Sequence, residues 1–239
     1  MFKLRIFVLF VLATLMAGCG ELGSRTGSGN VITQEVAITD FDKLDVSDGF
    51  QVDVRQGDTY SVVIRIDDNL VEDLQVVKEG SVLKIGLESG GVYNIQTATL
   101  EADITMAELT GLDLKDGCRV TMNGFRSKKG LSANLFSGSH LQGDVEAGDA
   151  KFNLSGGSHV TLSGSAEDLT IDVDGGSHAK LADLAVVDAK VSANGGSDAT
   201  VNPSGILDAV AMGGSHVTYL GSPTLGTIDT DSTSTVKKK

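Results

Sequence analysis

All four histidines of the chain stand in one repeated tripeptide: Gly138-Ser139-His140, Gly157-Ser158-His159, Gly176-Ser177-His178 and Gly214-Ser215-His216. Gly196-Ser197-Asp198 fills the remaining slot. Imidazole is a transition-metal ligand and the one side chain that ordinarily titrates near neutral pH, so a line of histidines has three chemical readings. It can ligate a metal, contact a ligand in a pH-dependent way, or form a solvent-facing ladder at a turn. Zinc takes nitrogen ligands at about 2.0–2.1 Å in a tetrahedron. Residues stacked on neighbouring strands lie about 4.7–4.9 Å apart, which supplies two ligands to one ion more readily than four. Asp198 either adds an oxygen or shows that the slot accepts any polar residue. The column His140, His159, His178, Asp198 and His216 is therefore the candidate ligand-contact site, with the plain ladder as its leading reading, and no metal or other cofactor is assigned.

Acids also recur. Asp149, Asp168 and Asp188 each stand eight residues before a corner glycine, and Asp208 stands six before its own. Glycan hydrolysis or elimination needs clustered carboxylates, or a base beside Arg or Lys. These acids read instead as entry turns on successive coils, so no catalytic residue is assigned and the chain is read as not an enzyme. Calcium-binding β-rolls use Gly-Gly-x-Gly-x-Asp nonapeptides, which this repeat does not match. There is no Trp, which leaves little for an aromatic sugar platform. Cys118, in Asp116-Gly117-Cys118-Arg119, occupies a slot where other repeats have Ser and reads as a small turn residue.

The elements that must hold the column follow from its spacing. Successive tripeptide glycines are 19, 19, 20 and 18 residues apart. A period near twenty indicates stacked coils, each a supersecondary unit that cannot close a core alone. The coils overlay as LSANLFSGSHLQG, AKFNLSGGSHVTLSG, LTIDVDGGSHAKL, AKVSANGGSDATV and AVAMGGSHVTYLG, a strand, a Gly-Ser corner and a second strand. LDLKDGCRVTMNG (112–124) and LDVSDGFQVDVRQG (44–57) fit the same frame. Phe152, Leu154, Val160 and Leu162, like Ile171, Val173, Ala179 and Leu181, alternate with polar residues and are expected inside. Paired glycines such as Gly156-Gly157 suit corners that need left-handed backbone. Only 67–74 reads as helical, for one or two turns. The fold class is all-β, a single-domain β-solenoid with coils of about 19 residues, whose strand edges need blunting at both ends.

The termini read differently. Lys3 and Arg5 precede an apolar run from Ile6 to Ala17, and Ala17-Gly18 stands before Cys19, which marks residues 1–18 as a secretory signal. Cysteine after a small-residue cleavage point resembles the bacterial lipobox, although Met16 stands where that pattern usually has Leu. Cys19 is accordingly the expected lipidation site and membrane attachment point. Cleavage removes two bases and no acid, so the formal charge moves from −13 to −15. Such a surface repels nucleic acid, and no nucleic-acid partner is expected. Gly- and Ser-rich residues 19–30 read as a flexible tether, 31–222 as the solenoid domain, and 223–239 as a polar, frayed C-terminal tail.

Taken together, the segment Thr39–Asp58, the segment Ile104–Leu112 and the SGGSH-type corners resemble the bacterial auto-transporter adhesin "head GIN" domain family. The likeness covers roughly Asn30 to Gly221, with Ala107 where that family commonly has Pro. It implies a right-handed parallel β-helix-like domain, exported and named an adhesin by analogy, with no catalytic residues to carry over. The resulting expectation is a lipoprotein of the Gram-negative cell envelope, anchored at the outer membrane and either periplasmic or surface-exposed, acting as a non-enzymatic binding or structural module for an unidentified protein or glycan. The alternatives are a glycan-processing or sensing β-helix and a metal-binding surface protein using the histidine column.

Overall fold

A computed structural model describes residues 25–88, 93–94 and 97–239. The signal 1–18 and Cys19 lie outside the described residues. Two long sheets, one of ten strands and one of eleven, enclose a single apolar core. From Gly111 the chain alternates between them. Gly111–Leu114, Leu131–Leu135, Ala150–Leu154, Asp168–Val173, Asp188–Ala193 and Ile206–Ala211 lie side by side in the first sheet. Arg119–Arg126, His140–Glu146, His159–Ser165, His178–Val186, Asp198–Pro203 and His216–Tyr219 do so in the second. Every neighbour along both series is parallel, so the fold is a β-solenoid.

Period-2 alternation within each strand becomes columns between strands. In the first sheet Leu112, Ala133, Phe152, Ile171, Val191 and Ala209 are in register. In the second, Val120, Leu141, Val160, Ala179, Ala199 and Val217 are. All twelve are at most 2% exposed, and the eight residues expected inside from the sequence are buried with them. Phe152 follows Ala133 in its column, an alternation of large and small that lets successive coils interdigitate.

The N-terminal half joins this stack out of sequence order. Lys43–Val46 and Gln51–Gln56 pair in register with Gly111–Leu114 and Arg119–Arg126, which makes the coil at 44–57 a member of the repeat. Outside it lies a rung formed later in the chain, Val82–Leu87 and Leu100–Met106. Antiparallel strands then finish that end: Leu74–Glu79 in the first sheet, Ser61–Asp67 and Val31–Glu35 in the second. The one helix among the described residues is a 3-10 segment, Asp68–Asp73, that buries Leu70. Antiparallel pairing and the edge charges Glu35, Lys78 and Glu79 blunt this end.

Two terminal expectations are corrected. The segment 223–239 is not frayed; Thr224–Thr230 and Thr235–Lys238 form a last rung on Ile206–Ala211 and His216–Tyr219. Asp231 shapes its corner, Oδ2 accepting the Gly213 N–H at 2.7 Å and Oδ1 the Thr233 N–H at 3.0 Å. The described part of the tether is not free either. Arg25–Thr26 pairs with Tyr93–Asn94, Arg25 forms an ion pair with Asp73, and buried Asp67 accepts the N–H of Gly29 at 2.8 Å and of Thr99 at 2.7 Å. Those acceptors fix the chain because a carboxylate at 0% exposure requires hydrogen-bond donors.

Glycine serves two different needs. Gly157 has φ 77° with open space where a Cβ would sit, whereas a Cβ on Gly143 (φ 142°) would lie 2.0 Å from the Met122 carbonyl oxygen. Gly157→Ala should therefore cost about 1–2 kcal/mol from left-handed strain alone, and Gly143→Ala distinctly more. Urea unfolding of both variants checks this order.

Candidate functional site

Each corner before that of the last rung consists of two consecutive residues with positive φ. Ser137 (54°) and Gly138 (77°), Gly156 (65°) and Gly157 (77°), Gly175 (61°) and Gly176 (72°), and the later pairs repeat one conformation. The corner turns the chain from the first sheet into the second and sends the next two side chains opposite ways. The serine goes in and the histidine goes out.

Ser139, Ser158, Ser177, Ser197 and Ser215 are all 0% exposed, and Ser234 of the last rung is 8% exposed. Their hydroxyls close the corners: Ser139 Oγ donates to the Phe136 carbonyl at 2.7 Å, Ser158 Oγ to Ser155 at 2.8 Å and Ser197 Oγ to Asn194 at 2.7 Å. They also link coils. Ser177 Oγ accepts the Ser158 N–H, Ser215 Oγ the Ser197 N–H and Ser234 Oγ the Ser215 N–H, each at 3.1 Å. This buried ladder is the part of the repeat that reading serine as a turn residue overlooks. Cys118 holds the equivalent slot, with 0% exposure and its thiol pushed up to about 12 by burial, which keeps it from acting as a nucleophile at neutral pH.

Outside the serines, His140, His159, His178, Asp198 and His216 are Cα partners in sequence, so the structure brings all five candidate residues into one column. Arg119 extends it beyond His140 and Thr235 beyond His216. Aligning Gly117-Cys118-Arg119 with the later corners is the signal that finds Arg119. The His140 and His159 rings stack with centroids 4.7 Å apart and planes 3° apart; His159 and His178 are 5.0 Å apart at 40°. His178 Nδ1 lies 3.1 Å from Asp198 Oδ2, and His216 Nδ1 lies 3.0 Å from Thr235 Oγ1. His159 Nδ1 is buried without a hydrogen-bond partner.

Burial first, and then neighbouring charge, lowers the pKa of two of these rings. The neighbour is Arg119 for His140, and His140 and His178 for His159. Parallel stacking directs the ring lone pairs of His140 and His159 along parallel planes rather than toward one point. Among the described residues no group of three or more His, Cys, Asp or Glu side chains is placed to hold a metal ion. Three of the recurring acids stay together: Asp168 pairs with Asp188, Asp208 aligns with Lys190, and all four side chains border one shallow cleft on the first sheet. Asp188 Oδ1 accepts the Ile206 N–H and Asp208 Oδ1 the Thr227 N–H, both at 2.6 Å, so these two carboxylates tie one coil to the next.

A family model described as "Putative auto-transporter adhesin, head GIN domain" matches residues 40–223. The chain belongs to this family. Its fold recurs in a crystal structure titled as a putative adhesin of Bacteroides fragilis, with TM-score 0.80 and 21% identity over 90% of this chain and all of that one. A protein of Parabacteroides distasonis titled as a putative lipid binding protein follows, at TM-score 0.72 and 17% identity over 91% of this chain and all of that one. A Parabacteroides merdae protein titled as a putative adhesin matches at TM-score 0.70 and 17% identity, over 90% of this chain and 99% of that one. No curated protein matches the chain. At these identities the solved structures establish the shared fold alone.

The lowered pKa values of His140 and His159 have a definite sign. Unfolding raises each toward the ordinary value, so the unfolded chain binds more protons and stability falls as pH drops through about 6.5. Replacing His159 with Gln should flatten the slope of unfolding free energy between about pH 7 and 5. Denaturant melts across that range measure it.

Proposed function

We propose that this head GIN protein is a lipid-anchored, non-enzymatic adhesion module of the Gram-negative cell envelope, attached through Cys19 and binding a protein or glycan with its polar faces. The observation that carries the reading is a side-chain ladder on the outside of the first sheet. Asn153 Nδ2 donates to Asn134 Oδ1 at 2.7 Å, and Asn134 Nδ2 donates to Asp113 Oδ1 at 2.6 Å. The ladder runs in register from Asp45 to Asp172 and Ser192, and Lys115 Nζ reaches Asp45 Oδ1 at 2.9 Å. Side chains already ordered by their neighbours lose less conformational freedom when a partner arrives, which favours binding by a flat polar surface. Next to the ladder, a cleft of about 390 Å³ offers Thr170, Asp172, Lys190, Ser192 and Asp208 as hydrogen-bonding groups. The histidine column on the second sheet is a second contact surface of the same kind.

Membership of an adhesin family supports this reading. So does the use of Asp188 and Asp208 as acceptors of backbone N–H groups from the next coil, which speaks against the glycan-processing alternative. The parallel stacking of His140 on His159 speaks likewise against a metal-buffering role.

Two expected outcomes test the proposal. Cys19→Ala should abolish incorporation of labelled palmitate and move the protein from the membrane to the soluble fraction; unchanged fractionation contradicts the anchor. Asn134→Ala with Asn153→Ala should leave the circular dichroism spectrum intact while reducing attachment to immobilised host glycans or matrix proteins several-fold. Full attachment by that variant contradicts the ladder as the contact surface.

A further inference from the structure

The two ends of the solenoid are finished differently. At the N-terminal end the core is covered by Phe41, Ile64, Ile66 and Leu70, each at most 1% exposed, under antiparallel strands. At the other end the core columns run out at Leu225, Ile228 and Val236. Leu225 continues the column of Leu169, Ala189 and Leu207; Ile228 continues Ile171, Val191 and Ala209; Val236 continues Ala179, Ala199 and Val217. Those nine preceding residues are at most 4% exposed, yet Leu225 is 49% and Ile228 39% exposed, and Val236 is half-buried. These are inward-facing core residues on a rung with nothing stacked on it among the described residues.

The same rung closes both sheets, so Thr224–Thr230 and Thr235–Lys238 each present a row of backbone N–H and C=O groups without a strand partner. A bulge opposite Asp208 shortens the regular part of the first strand to Ile228–Thr230, close in length to the second. This rung lies beyond residues 40–223 that match the family.

We propose that this end binds the same end of a second copy of the chain. A second solenoid end supplies two strands at the spacing of the two sheets, with an apolar strip between them, and so fits both edges and the open core at once. Charge selects between the two possible two-fold arrangements. The strand Thr224–Thr230 carries Asp229, and the strand Thr235–Lys238 carries Lys237 and Lys238. Laying each strand on its own counterpart sets acid on acid and base on base. Laying each on the other strand of the second copy brings outward-facing Asp229 toward the second copy's Lys237, twice by symmetry, and buries Leu225 and Ile228 of each copy against Val236 of the other. Such an isologous contact uses both edges and closes at two chains.

Sedimentation velocity of the full chain in mild detergent, over a concentration series, tests this. The wild type should show a concentration-dependent dimer, and Leu225→Lys with Ile228→Lys should weaken it at least about tenfold. Asp229→Lys and Lys237→Glu should each weaken it, and the two combined should restore it. A wild-type monomer up to about 100 µM overturns the proposal, including the case in which an unlike partner covers this end. A dimer indifferent to Leu225→Lys with Ile228→Lys places association elsewhere and overturns it too. A charge reversal that is not rescued overturns the crossed arrangement.

Discussion

Every coil must return the chain to the same lateral position one strand spacing further along the axis, and the corner meets that requirement. Two consecutive left-handed residues reverse the backbone within a few ångströms, a conformation that paired glycines adopt without the Cβ penalty. The buried serine behind them fixes the result. Its hydroxyl satisfies a carbonyl of its own coil, and in several corners also accepts an N–H from the coil before, so a polar backbone turn can sit inside an apolar core. With the corners in register, every other position is in register, and columns of like residues follow.

Position within the tripeptide then decides the meaning of a residue. Serine, one step before the histidine, is wholly buried and bears on stability. Histidine, one step later, faces outward and packs on its equivalents in the neighbouring coils. The polar outer faces follow the same rule, and their ladders of Asn, Asp, Thr and Ser are ordered by neighbours on adjacent coils rather than by a pocket.

Much of this was legible in the sequence because the repeat was strong. The corner tripeptides fixed the period, predicted the histidine column and located Phe152, Val160 and Ile171 in the core. The last rung was missed because its corner lacks the Gly-Gly-Ser-His signature. Asp231 and Thr233 shape it instead, and the surviving signal was Ser234, nineteen residues after Ser215. The spatial order of the N-terminal half was not legible either. Alternation identifies the strands between 61 and 106, but nothing local says that the rung from 82 to 106 lies outside the rung from 43 to 56. The Gly- and Ser-rich stretch before Val31 read as free tether because its partners Asp67, Asp68, Asn69 and Asp73 are some forty residues away.

The central claim is that the buried serines hold the corners while the histidines ride on them. Equilibrium urea unfolding of Ser158→Ala with Ser177→Ala, compared with His159→Ala with His178→Ala at pH 8, tests it most directly. The account predicts that the serine pair loses about 2–6 kcal/mol, from hydrogen-bonding groups left unsatisfied inside the core, while the histidine pair stays within about 1 kcal/mol of wild type. A histidine pair that costs as much as the serine pair, or a serine pair without effect, contradicts it.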